Sequence, residues 1–341
     1  MIIFICAFFL FCLIGCKPIW GKGFHTDYAS PDQTRAINGI CIMLILLSHT
    51  FAKVETGGIM DELYVPMRTF LGQFVVVPFL FYSGYGVMES LCKKEGYLKT
   101  FPKKRFLKLF AQFAAITVLY ILLNLCLGRQ YTIGHILLSL TGITSIGNGG
   151  WYMLSTFVFY ISVILCFNVF KKNKVLAAIG VTVCLATLMV TEIVLNFPSY
   201  YYSTTIFLGI GMFYSLLKDK FDALVIKNNI IWGITLLIGL AGFVFLKNLM
   251  DKSVLFYPIW CGFGMLMLLC ITMKVKIQNK ALIWFGTTVF FNFTLQGIPQ
   301  ILCTQFLHNN YLIYTLVVIV TLILTYLADR FFKQAEKVLA K

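Results

Sequence analysis

Arg35-Ala-Ile-Asn38-Gly-Ile-Cys-Ile-Met-Leu-Ile-Leu-Leu-Ser48-His49 is the stretch of this 341-residue chain that decides its fold. It belongs to an uninterrupted apolar run, residues 36–53, of about 27 Å as a helix, close to the thickness of a bilayer's hydrocarbon core. In lipid the backbone must satisfy its own hydrogen bonds, and the run lacks strict alternation, so it is a helix rather than a barrel strand. Successive helical residues turn by about 100°, which places Arg35, Asn38, His49 and Lys53 within roughly 60° of one another. The stripe spans about 21 Å from Arg35 to His49. An ionisable side chain at that depth is expensive and marks a functional position.

The same signature recurs along the chain. Apolar segments fall at about 1–16, 36–53, 70–92, 106–127, 151–170, 175–195, 203–217, 230–248, 254–273, 282–303 and 311–328. The expected architecture is an all-α, polytopic helical bundle with about 10–11 transmembrane helices. The stretch 133–146 is apolar but short and glycine-punctuated, which fits an interfacial or re-entrant element. Composition agrees: 60% of residues are hydrophobic and 12% charged, against about 25% charged in soluble domains. Mean hydropathy is +0.87.

The net charge of +15 is not a nucleic-acid footprint, because the basic residues sit in short loops between spans. Of the 28, 23 lie in 17–35, 93–108, 171–174, 218–227, 274–280 and 329–341. The other five are Lys53, Arg68, Arg129, Lys247 and Lys252. The positive-inside rule makes the first set cytoplasmic, with the C-terminal basic tail 329–341 inside and the N-terminus outside a plasma membrane. Leu13-Ile14-Gly15-Cys16 has the form of a lipobox, yet residues 1–16 carry no Lys or Arg, so a signal peptide's basic n-region is missing. That segment reads as an additional N-terminal transmembrane helix. Cysteines such as Cys41, Cys126, Cys166, Cys184 and Cys270 lie inside apolar runs as small hydrophobes, without metal-ligand spacing; no metal is expected.

Further constellations carry chemistry. The hairpin 93–108 packs seven basic residues into 16 positions. It serves either as a topogenic loop on anionic lipid heads or as a site for a polyanionic phosphate, with Arg105 and Lys108 on one face at i, i+3. Thr288, Asn292, Gln296 and Gln300 repeat at i+4 as a second polar ladder, either helix-to-helix glue or a cavity lining. Pro299 is expected to break that ladder. Phe79-Leu80-Phe81-Tyr82-Ser83-Gly84-Tyr85 reads as a close helix crossing or a cavity wall. Gly147-Asn148-Gly149-Gly150-Trp151-Tyr152 reads as a flexible turn before an aromatic belt. Glu89 and Glu192 receive no role. Walker, nucleophile-elbow and zinc motifs are missing, as are broken helices in matched halves.

With these residues in view, residues 30–330 resemble the acyltransferase-3 family of bacterial membrane acyl-CoA-dependent transferases. Family members open with an Arg-Gly-Ile-type segment ending in a histidine eleven residues on; Asn38-Gly39-Ile40 through His49 has that spacing. The Phe79–Tyr85 segment is similar to the family's Phe-Phe-Leu-Ser-Gly-Phe motif, and Arg105-Phe-Leu-Lys108 to its Arg-x-x-Arg. Trp151-Tyr152-Met153-Leu154 is similar to its Trp-Phe-Leu segment, and Gly286 through Gln296 to its late Gly-x-x-Ser…His pattern. The chain departs at Asn38 and Gln296, where the family has arginine and histidine, and at Lys108, which cannot fork onto phosphate as arginine does. Arg35, one turn before Asn38, is a candidate substitute.

The resemblance implies transfer of an acyl group, most simply acetyl, from cytoplasmic acyl-CoA to a hydroxyl of a cell-envelope glycan or lipid-linked sugar. On that reading His49 is the catalytic residue, as general base or acyl carrier. Arg105, Lys108, Lys104 and Arg35 hold the phosphates of acetyl-CoA or another acyl-CoA. Asn38, Ser83, Tyr85, Trp151, Tyr152, Asn292 and Gln296 contact substrate. The alternative class is a flippase or exporter of a glycan or lipid-linked intermediate without acyl transfer. A third is a catalytically inactive scaffold. Thioester consumption separates the first from the others.

Overall fold

A computed structural model describes residues 2–54, 57–171, 173–250 and 252–339. The first residue of segment 1–16, Lys172 of the basic loop 171–174 and the last two residues of the tail fall outside them. Helices form wherever an apolar segment was expected. In chain order they are α1 (Ile2–Leu13), α2 (Pro31–Phe51), α3 (Ile59–Glu62), α4 (Tyr64–Leu71), α5 (Val77–Lys93), α6 (Tyr97–Phe101), α7 (Lys108–Cys126), α8 (Ile133–Thr141) and α9 (Gly150–Val169). They continue with α10 (Lys174–Val194), α11 (Phe207–Val225), α12 (Asn229–Phe245), α13 (Phe256–Thr272), α14 (Lys280–Thr287), α15 (Val289–Leu295), α16 (Gly297–Phe306) and α17 (Asn310–Leu339). Two short strands, β1 (Cys16–Pro18) and β2 (Val275–Ile277), pair antiparallel with Cys16 opposite Ile277.

Among the described residues seven helical stretches are long and apolar enough to cross a membrane, or up to eight when the bent pair Lys280–Thr287 and Val289–Phe306 is taken as one span. The α4–α5 and α6–α7 stretches each run 30 residues. The chain is therefore an all-α, multi-pass membrane bundle. The expected first span is shorter than the sequence suggests. α1 has 12 residues, about 18 Å of rise, and a glycine at φ +78 (Gly15) leads the chain into β1. The 133–146 stretch holds only the nine-residue α8, capped by Thr132 and ended by left-handed Gly142, too short to span.

Asparagines start several spans. Asn173, Asn228 and Asn279 accept hydrogen bonds from amides in the first turns of α10, α12 and α14, supplying acceptors for donors that a helix start leaves free. Pro31 opens α2, where its missing N–H is harmless. One expectation fails in the late ladder. The helix bends by 66° between Thr287 and Val289, not at Pro299, which sits in the first turn of α16 where proline is tolerated. So one broken helix is present, although the sequence showed no matched pair of them.

The bundle is organised by two backbone-to-backbone crossings. A Cβ on Gly39 of α2 would lie 2.0 Å from Leu282 O of α14, and one on Gly286 would lie 1.7 Å from Arg35 O. The second crossing is the same kind: Gly84 of α5 against Leu208 O (1.9 Å) and Gly211 of α11 against Phe81 O (2.0 Å). Lipid tails are as apolar as leucine, so small residues that allow close approach substitute for a hydrophobic drive between membrane helices. The reading of Gly84 as a close crossing holds.

The loops of the 23-charge set meet at one end. Lys274 Nζ donates to Gly21 O, Gly23 O and Asn229 Oδ1 at 2.6–3.0 Å and sits over the Phe24 ring. The Gln33 amide bonds both backbone groups of Ile277. Lys108 of α7 pairs with Glu336 of α17. At this end the N-terminal loop is a latched structural element.

Replacing Gly286 or Gly84 with alanine is expected to destabilise the detergent-solubilised protein by about 1–3 kcal/mol through overpacking. Gly233→Ala, whose Cβ meets nothing within 4 Å, should leave the melting temperature unchanged or raised. Equal melting of all three variants would dismiss the crossings as stabilising contacts.

Candidate active site

A cavity of about 960 Å³ opens at the end where the basic loops meet. It is bounded by the loop before α2, the start of α2, the length of α5, Arg105, α9 and the middle of α11. Its α5 wall runs from Phe79 to Lys93, about 21 Å of helix rise, so the cavity is elongated along the bundle. Tyr160 and Tyr152 of α9 continue the same wall inward.

The mouth is cationic. Arg35, Lys93, Lys94, Arg105 and Lys218 line it, against Asp27, Glu89 and Asp219. Several of these are already paired: Lys93 with Glu89, Arg35 with Asp32, and Lys218 with Asp222. Glu89 also accepts a hydrogen bond from Ser215 at 2.8 Å, which gives it a place in the wall. Arg105 donates from Nε to Tyr97 OH at 3.2 Å, and among the described residues it has no carboxylate partner. Its remaining guanidinium donors are free to meet an anion.

Lys108 is elsewhere. It pairs with Glu336 and lines a separate 250 Å³ pocket with Asp329 and Lys333. The shared face expected of Arg105 and Lys108 assumed α-helical spacing. Residues Pro102–Leu107 instead form a π-helical turn, whose wider i→i+5 winding rotates the two apart. Lys104 is exposed and does not line the cavity.

Deeper in, the walls carry polar atoms without partners. Asn38 Oδ1 and Tyr82 OH are buried and unbonded, and both residues line the cavity. Buried polar atoms are nearly always satisfied, so two orphans on residues that line one cavity stand out in its wall. Ser83 and Tyr85 line the same wall, and Ser83 interacts with the Tyr160 hydroxyl. Behind that wall Tyr214 donates to Tyr28, Tyr28 donates its only proton to Asp222, and Lys218 donates to the same carboxylate.

The deep end meets His49 through one ring. Tyr152 packs on Phe293 at 5.4 Å between centroids, and Phe293 packs on His49 at 6.2 Å. Trp151 closes on Phe293 from another side at 6.0 Å. The His49 side chain is accessible and interacts with Gln296, whose buried Oε1 has no donor at hydrogen-bond distance. Arg68 and Lys53 add positive charge near the imidazole.

The expected stripe thus divides. Arg35 and Asn38 face the cavity, His49 lies beyond Phe293, and Lys53 is exposed past the helix end. Asn292 lines neither region. Its Nδ2 donates to Thr288 Oγ1 (3.0 Å) and its Oδ1 accepts from Thr325 (3.3 Å), so it joins α15 to α17. Nor is the turn before Trp151 flexible. Asn148 is buried and bonded to Thr117 Oγ1 and Ser139 O, with Gly147 and Gly149 at positive φ. A Cβ on Gly149 would meet Phe293 at 2.8 Å. Residue-by-residue reading missed Tyr82, Tyr160, Lys218, Phe293 and Arg68; the last was visible only as one of five basic residues on the sparse side.

An elongated cavity with a cationic mouth and a histidine past its inner end is thus set in a multi-pass helical bundle. Residues 35–330 match the family model described as an acyltransferase domain, and the chain belongs to this acyltransferase-3 family. It is accordingly an acyltransferase of groups other than aminoacyl. No curated protein and no solved structure matches it.

His25 secures the cavity's loop wall. It is 7% exposed, its amide donates to Met273 O, and its Nδ1 is unpartnered. Burial first, with Lys276 nearby, lowers its pKa against the raising influences of Thr272 and Asp27. A base with a lower folded than unfolded pKa binds fewer protons when folded, so acid favours the unfolded chain. Its stabilising contribution is complete above about 6.5 and is lost as pH falls below that value. Melting temperatures between pH 7.5 and 5.5 should therefore fall less steeply in His25→Gln than in the parent; identical slopes would refute this.

Proposed function

We propose that the protein transfers an acyl group, most simply acetyl, from acyl-CoA to a hydroxyl of a cell-envelope or exported glycan or lipid-linked sugar. The observation that carries the reading is Arg105, an accessible guanidinium without a carboxylate partner among the described residues, at the mouth of a cavity whose inner wall packs on the Phe293 ring beside His49. The positive-inside rule supports a cytoplasmic position for the basic loops around it and for the C-terminus, in a plasma membrane.

The cavity suits an acyl-CoA by its chemistry. Arg105, with Lys94 and Arg35, would hold the phosphates by charge-assisted hydrogen bonds. The orphaned Asn38 Oδ1 and Tyr82 OH would take the amide N–H donors of the ligand's arm. Ser83 and Tyr85 shape the wall between them. The donor supplies an activated thioester carbonyl.

His49 would act as general base, accepting the proton of the acceptor hydroxyl as its oxygen bonds the acyl carbon; the C–S bond then breaks and the leaving CoA thiolate takes that proton from the imidazolium. Gln296, whose Oε1 has no donor among the described residues, would close onto the other imidazole nitrogen and fix the ring's orientation and tautomer, the role the second group plays in any base-orienter pair. Trp151 and Tyr152 hold Phe293 where cavity and base meet.

His49→Ala should abolish acyl transfer from labelled acetyl-CoA while the protein still folds; retained glycan acylation would end the mechanism. Arg105→Ala should raise the KM for acetyl-CoA about tenfold to a hundredfold, the value of a charge-assisted bond of about 1.5–3 kcal/mol. An unchanged KM would move the donor site elsewhere. Enlarging the ring at the junction, Phe293→Trp, should lower kcat with little change in acetyl-CoA binding, measured by isothermal titration. A parallel loss of binding would place Phe293 in the donor site instead.

A further inference from the structure

The side of His49 away from the cavity is built differently from the cavity. Arg68 of α4 donates from Nε to the Oγ of Ser48, the residue beside His49, at 3.0 Å. Its guanidinium lies over the Phe51 ring at 5.6 Å. Among the described residues it has no carboxylate partner and no bond from its two terminal nitrogens. Lys53, one helical turn past His49, is exposed on the same side. The charges acting on His49 are these two, both positive. The acids of this end are held otherwise: Asp61 accepts from the Gly57 amide, and Glu62 is exposed on α3.

A half-buried arginine is costly unless it meets a counter-charge, and its planar fork matches a carboxylate or phosphate. Aromatic stacking and the Ser48 bond fix the plane of the guanidinium and leave its outer edge open. A neutral sugar hydroxyl can accept one bond from such an edge but brings no counter-charge. The cavity mouth mixes cations with Asp27, Glu89 and Asp219, whereas among the described residues the charges acting on His49 are only positive.

We infer that the acceptor is anionic: it carries a phosphate or carboxylate close to the hydroxyl that is acylated, and Arg68, assisted by Lys53, binds that group. Arg68 thereby sets which hydroxyl lies at His49. This rests on the acyl-transfer reading for the identity of the step, but the anion site can be measured without it.

The test is equilibrium binding to the full-length protein in lipid nanodiscs, without acyl donor. Three probes are used: octyl glucoside, octyl glucuronide and a citronellyl diphosphate-linked glucose. One or both anionic probes should bind about tenfold tighter than the neutral one, the value of one charged hydrogen bond. Glucuronide preference assigns the charge to the sugar, and diphosphate preference assigns it to a lipid carrier. Arg68→Gln should erase the preference and Arg68→Lys should keep part of it, both with unchanged acetyl-CoA binding and melting. Equal binding of all three probes, binding of none, or a preference that survives in Arg68→Gln would overturn the proposal. Labelled acetyl-CoA is then added. Anion preference without transfer would sink the acyl-transfer reading alone, and equal transfer to octyl glucoside would sink the anionic acceptor alone.

Discussion

Everything in this molecule hangs from two places where helix backbones touch. At Gly39–Gly286 and Gly84–Gly211 a single added methyl group would come within 2.0 Å of a carbonyl oxygen on the facing helix. Between membrane helices, burial of apolar surface gives no net drive, so dispersion across close contacts must hold them together. The crossings also aim the cavity. A residue next to a contact glycine lies about 100° around the helix from it, so Asn38, Ser83 and Tyr85, the neighbours of Gly39 and Gly84, are turned off the contact face and into the cavity wall. Packing and site geometry are therefore one constraint. A side chain at these glycines would misplace the ligand-facing residues even where the helix survived.

Charge is organised with equal economy of means. At the basic end several cations are neutralised by wall acids or by neighbouring helices, as in Lys93–Glu89, Lys218–Asp222 and Lys108–Glu336. Those pairs and the Lys274 latch hold the rim in place. Arg105 is not paired in this way: a tyrosine hydroxyl anchors it, which fixes its position and leaves its charge uncompensated. The difference follows from the π-helical turn Pro102–Leu107. The turn separates Arg105 from Lys108 and commits one to the cavity and the other to the α7–α17 contact.

Much of this was legible in the sequence for physical reasons. Membrane thickness and backbone satisfaction leave little choice but helices, so segment positions followed from hydropathy alone. His49 stood out because ionisable groups are excluded from lipid unless used. What stayed hidden depends on the third dimension. The sequence assigned Asn292 to a substrate, yet its amide is consumed by Thr288 and Thr325, and Thr325 is 33 residues away. Pro299 was expected to end the ladder because proline breaks helix interiors, but the chain had already bent at Thr287–Val289, leaving proline in a permitted first turn. Segment 1–16 was counted as a full span because hydropathy does not register where Gly15 turns the chain into a strand. Arg68 was counted only as a loop charge, since nothing local announces that it reaches Ser48 on another helix.

The separation between Arg105 and His49 is what an extended donor demands. A thioester whose anionic groups sit at one end of a flexible arm cannot bring both ends to one place. A binding site for it must therefore hold charge at the mouth and chemistry at depth. The cavity has that shape: its α5 wall covers about 21 Å, with Lys93 at the open end and Phe79 at the other. The ring of Phe293 then stands between Tyr152, which belongs to the cavity, and His49, which does not line it. It is held there because Gly149 leaves space that any side chain would fill. A base set apart from the mouth by the length of the cavity and by one ring is shielded from water entering beside the basic loops. It remains accessible on its other side, where Arg68 waits with an open edge. On the proposed reading the two substrates would approach one imidazole from opposite directions, and the only part of the donor that would need to reach it is the acyl group itself.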